Sequence, residues 1–158
     1  MKKVGLPVLV LAGLCGGMAE VVWVALYGAV TGLNGVEVAR QVTASVFPAF
    51  AEQSFAPALG VAIHFALSIA LAIAFGLIVW RRIALGRVAG MAVGVAVLCL
   101  VWAMNFFVVL PVLNPAFVAL MPYAITLTSK ALFGVAMVGM LQATGAHSAI
   151  RPPVQLGY

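Results

Sequence analysis

Apolar residues run almost unbroken over four stretches of the chain, about residues 4–31, 56–80, 88–110 and 120–144. None shows the in-and-out alternation of a half-buried strand, and each exceeds the roughly 20 residues that a helix needs to cross hydrocarbon. In lipid a segment must satisfy its own backbone N–H and C=O groups, so four transmembrane helices are predicted. Pro111 and Pro115 are expected to end the third span, because proline cannot continue a helix. Gly145 is expected to stop the fourth. The predicted fold is all-α: an integral membrane four-helix bundle forming one domain over residues 1–158.

The connection between spans one and two is long, residues 32–55. Its "NGVEVARQVTASVF" sets Val36, Val42 and Val46 among polar Glu37, Arg40 and Gln41. That pattern predicts a short amphipathic surface helix, its valines toward lipid. "FPAF" at 47–50 is echoed by "NPAF" at 114–117. The tail "HSAIRPPVQLGY" reads as a short extended end.

Composition supports the membrane reading. The chain is 66% hydrophobic and 7% charged, with a mean hydropathy of +1.25. Soluble domains carry roughly 25% charged residues. The net charge of +5 would suggest nucleic acid in a soluble chain, but here the basic residues flank the apolar runs and form no stripe with aromatics. Lys2, Lys3, Arg81, Arg82, Arg87 and Arg151 fall on one side of a four-span topology, and only Arg40 falls on the other. The positive-inside rule then predicts both termini in the cytoplasm. Trp80 beside Arg81 and Arg82 suits an interfacial anchor. The first apolar run continues past Glu20 to about Val30, too long for a signal-peptide core, so it is expected to be an uncleaved span. Cys15 and Cys99 lie in spans and form neither a disulfide framework nor a metal-ligand pattern.

The informative residues are the polar ones inside the spans. The chain has three acidic residues, all Glu, and Glu20 is inside span one. At 1.5 Å per residue it lies about 16 Å below that span's outer end. His64 in span two, Asn105 in span three and Lys130 in span four fall at about 12, 8 and 15 Å on the same count. A charge near the bilayer centre costs roughly 2.5–3.5 kcal/mol on insertion scales. An ion pair between Glu20 and Lys130 reduces that cost for both, and His64 and Asn105 can add hydrogen bonds. Trp23, Tyr27, Ser68, Thr126 and Ser129 are the supporting residues. Gly60, His64, Ser68, Ala72 and Gly76 recur every four positions, and Gly16–Glu20, Gly90–Gly94 and Lys130–Gly134 repeat that spacing. Small residues let helices approach closely in lipid, so the polar groups that share these stripes are expected to point inward.

No catalytic residue set, phosphate loop or metal-ligand cluster is expected. The stretches "GGMAEVVW", "GVAIHFALS" and "MNFFVVLPVLNPAF" resemble uncharacterised four-span proteins of the bacterial inner membrane. The resemblance implies that fold and location and no activity. Where it leads one to look for a second histidine on span four, this chain has Lys130.

The leading functional expectation is a non-enzymatic integral membrane protein, an accessory or assembly subunit of a larger membrane complex. Its partners would be the lipid bilayer and other membrane subunits or a second copy, with no nucleic acid. A small transporter or proton-linked channel using Glu20, His64 and Lys130 is the alternative, since histidine exchanges protons near neutral pH. A haem-binding redox subunit is weaker. No cofactor is expected, because His147 falls on the opposite side from His64, so bis-histidine haem ligation would need a dimer or a partner.

Overall fold

A computed structural model describes residues 4–82 and 86–147. It is 88% helix with no strands among the described residues. Six helices follow one another: α1 (Leu6–Thr31), α2 (Gly35–Val46), α3 (Ala56–Trp80), α4 (Arg87–Leu113), α5 (Pro115–Leu120) and α6 (Tyr123–His147). Of these α1, α3, α4 and α6 are long and apolar enough to cross a membrane.

The contacts along the helices give their directions. On α3, Ile69 backs onto Gly13 of α1, Gly76 onto Leu9, and His64 reaches the Gly17 carbonyl. Numbers rise on one helix as they fall on the other, so the two are antiparallel. The same holds for α1 and α6, where Gly16 faces Phe133 and Glu20 meets Lys130. It holds again for α4 and α6, where Gly90 lies beside Gln142 and Gly94 beside Val138. The bundle is therefore up-down-up-down, with α1 and α6 central, α3 beside α1 and α4 beside α6. α1 starts and α6 stops at one end, here the terminal end; α2 and α5 lie at the other, the distal end.

The core follows the small-residue stripes. Leu9, Ala12, Ala72, Phe75, Leu98, Phe133, Met137, Val138 and Leu141 form one buried cluster on the terminal side. A Cβ on Gly13 would come within 2.6 Å of the Ile69 Cα, so this helix pair depends on a missing side chain. α3 and α4 meet there through Phe75, near Gly94, and Trp80, near Gly90. Trp102, Phe106 and Leu110 form a second, smaller cluster on the distal side.

Local chemistry sets the helix ends. Gly32 closes α1 at φ 78°, a left-handed conformation that glycine adopts without strain. The Asn34 side chain accepts from the Val36 N–H and opens α2. Two helices contain wide turns: α3 ends in one over Gly76–Trp80, where the Arg81 N–H bonds the Gly76 carbonyl five residues back, and α4 has one over Asn105–Val109 before its last residues.

Several expectations about boundaries change. α4 runs through Pro111 to Leu113. The wide turn over Asn105–Val109 precedes Pro111 and rearranges the bonding ladder where proline has no N–H to give. α6 passes Gly145 and ends at His147. Lys2, Lys3, Arg151 and the tail expected to be extended lie outside the described residues, apart from His147 at the end of α6.

The largest change concerns α2, which forms where expected but is not free on a surface. It packs along the start of α3, where a Cβ on Gly60 would run into the Ala39 carbonyl. Thr43 is fully buried and donates to the Ala56 carbonyl at 2.6 Å. Of its valines, Val36 and Val46 are exposed and Val38 and Val42 are half-buried.

Candidate functional site

Glu20 sits on the inward face of α1, one turn beyond Gly16 and Gly17. Those two glycines let Phe133 of α6 and Ser68 of α3 close on the α1 backbone. Glu20 is 6% exposed. Its carboxylate meets Lys130 of α6, whose Nζ lies 2.8 Å from Oε1 and 3.0 Å from Oε2. The ammonium thus straddles both oxygens. Ser129 Oγ, also buried, donates to Oε1 at 3.1 Å. The same hydroxyl lies 3.1 Å from the Thr126 carbonyl; it has one proton, and the charged acceptor is the stronger. Below the pair, the Phe133 ring is fully buried, with its centroid 5.0 Å from Nζ.

Two indoles hold the first turn of α6, and so the residues that meet Glu20. Trp23 of α1 donates from Nε1 to the Ile125 carbonyl at 3.0 Å. Trp102 of α4 donates from Nε1 to Thr126 Oγ1, also at 3.0 Å. Thr126 passes its own proton to the Tyr123 carbonyl, 3.1 Å away. Around Trp102 the rings of Phe106, Phe107 and Tyr123 pack at centroid separations of 5.5–6.3 Å. Helices α1 and α4 therefore both fix the start of α6, one through each indole.

The sequence-derived residues do not all come together. Glu20, Lys130, Ser129, Thr126 and Trp23 come together. His64 is on the neighbouring α1–α3 seam and bonds neither charge: its Nε2 lies 3.1 Å from the Gly17 carbonyl. A carbonyl only accepts, so Nε2 carries the proton. Ser68 packs beside it against Gly17. Tyr27 is half-buried, and its carbonyl accepts from Thr31 within α1. Asn105 lies apart. The buried stripe of α4 is Trp102, Phe106 and Leu110, and Asn105 is exposed off that stripe.

A second polar group at the distal end was not expected. Asn114, between α4 and α5, is 7% exposed. Its Nδ2 lies 3.0 Å from the Gln41 carbonyl, Gln41 Oε1 and Ser45 Oγ, all on α2. Its Oδ1 accepts from the Phe117 N–H and caps α5. Gln41 continues the network to Glu37 at 2.7 Å, and Glu37 pairs with Arg40 at 3.4 Å. Arg40 in turn donates to the Ala51 carbonyl. One signal for this was readable: asparagine directly before Pro115 is a helix-start pattern. Its partners on α2 are more than sixty residues away, and no local pattern marks them.

Comparison with protein-family models, with curated proteins and with solved structures finds no match to this chain.

Proposed function

We propose that this chain is a non-enzymatic integral membrane protein of the bacterial inner membrane, with both termini in the cytoplasm, and that it serves as an accessory or assembly subunit of a larger membrane complex. One observation carries the reading: the charges inside the spans are closed on each other. Lys130 covers both oxygens of Glu20, Ser129 adds a third donor, and Phe133 seals the floor. An arrangement of this kind holds helices in register. It presents no free nucleophile or base.

The surface supports the same reading. α4 carries an apolar face with Leu100 at 70% and Met104 at 58% exposure. α4 has only α6 as an extensive neighbour among the spans, so much of its circumference is available to lipid or another subunit. At the distal end α2 sits at the membrane surface, seated on α3, with Val36 and Val46 turned outward. The described basic residues fit the orientation: Arg81, Arg82 and Arg87 are at the terminal end and Arg40 at the distal end.

The test is extraction in a gentle detergent followed by mass measurement. The expected result is a complex holding a second, different subunit in fixed ratio, which dissociates when Leu100 on the α4 face is replaced by arginine. The contrary result is a chain that, purified alone and reconstituted in vesicles, conducts protons or a solute and loses that flux in Glu20→Gln. Such flux would make the pair a transport site.

A further inference from the structure

Asn105 is a polar side chain in the wrong place for a lipid-facing surface. It lies eight residues before the end of α4, about 12 Å below the distal end at helical rise. It is exposed and makes no side-chain hydrogen bond among the described residues. Its neighbours on that face are aliphatic: Val101, Val108, Val109 and Val112 are 39%, 56%, 38% and 80% exposed. At that depth water is scarce, and an amide without a partner in an apolar medium costs several kcal/mol. The aliphatic row around it offers no side-chain partner, and a second molecule can supply one.

The chemistry of the amide selects that molecule. One carboxamide offers two donors and one acceptor oxygen, so two facing amides satisfy each other. Copies of one chain inserted in the same orientation are related by an axis along the membrane normal. Such an axis brings each residue opposite itself at its own depth. Asn105 therefore meets Asn105 without any adjustment of register. The flanking row is uncharged in both copies.

We propose that the Asn105 face of α4 is the dimer interface of this protein, two copies associating in the membrane about a two-fold axis through an Asn105–Asn105 amide pair, with Val101, Val108 and Val112 packed around it. The proposal rests on the reading of the chain as membrane-embedded and is independent of the accessory role. The two failures are distinguishable: a chain washed from membranes by alkaline carbonate overturns the membrane reading, whereas an embedded monomer overturns only the dimer.

The experiment is subunit counting by single-molecule photobleaching of the full chain in lipid vesicles over a range of dilutions, with oxidative cross-linking in parallel. For cross-linking, Cys15 and Cys99 are first replaced by alanine and one cysteine is added at Val108 on the face or at Leu67 away from it. The expected result is a dilution-dependent dimer, cross-linking through position 108 and none through position 67. Asn105→Leu should weaken dimerisation about 3- to 30-fold, the range of measured polar contacts between membrane helices, and Asn105→Gln should retain most of it. The Gln variant guards against a general folding defect. Monomers at every dilution, cross-linking only through position 67, or an unchanged dimer in Asn105→Leu would each overturn the proposal.

Discussion

Ser129 and Trp102 act on the Glu20–Lys130 pair from two directions, and the sizes of their effects should differ from that of the pair itself. Ser129 supplies one of three donors to the carboxylate. Ser129→Ala removes a single hydrogen bond and leaves Lys130 in place, so the expected loss in unfolding free energy is about 1 kcal/mol. A loss as large as that from Glu20→Gln would mean that the hydroxyl, and not the ammonium, holds the carboxylate. Trp102 reaches the pair indirectly, through Thr126 and the first turn of α6. The two charges were readable from the sequence, since opposite signs at similar depth on small-residue stripes leave few ways to arrange them. The partner of His64 was not. It is a backbone carbonyl, and every residue has one. Asn105 was misplaced for a related reason: a count of rise gives depth but not azimuth, and the residue begins a wide turn beside the buried stripe of α4.

At the scale of elements, α2 shows how a correct local pattern can carry the wrong environment. Its amphipathic spacing is present in the sequence, and the helix forms over Gly35–Val46. What covers its inner face is set by Gly60, thirteen residues further on than Phe47, where the absence of a side chain admits the Ala39 carbonyl. Asn114 then bonds α2 from the other half of the chain. Gly60→Val is expected to lift α2 from α3. With Cys15 and Cys99 replaced, a cysteine at Thr43 should be inert to a membrane-impermeant thiol reagent in the native background and reactive in the Gly60→Val background. Equal protection in both would show that α2 does not depend on that close approach. The two connections marked by "FPAF" and "NPAF" both lie at the distal end, the first as a short 3-10 turn and the second at the start of α5. The shared proline starts a helical turn in each, which is the role its fixed φ suits.

For the whole molecule, the four long apolar runs were enough to specify the four helices that are long and apolar enough to cross a membrane. The antiparallel neighbours depend on tertiary close approaches, Gly13 on Ile69 and Gly94 near Val138, that no single run displays. The topology has its own check. An impermeant thiol reagent added outside intact cells should label a cysteine at Glu52 and spare one at Arg82; the reverse would invert the orientation. The central claim, that Glu20 of α1 and Lys130 of α6 form one buried pair organising the bundle, is tested most directly by a double-mutant cycle. Unfolding free energies are measured in lipid bicelles for Glu20→Gln, Lys130→Met and the double variant. Each single change leaves a charge or a polar group buried without its partner, and should cost about 3 kcal/mol or more. The double variant is predicted to recover much of that loss, because no orphan charge is left. Losses that simply add would contradict the pair.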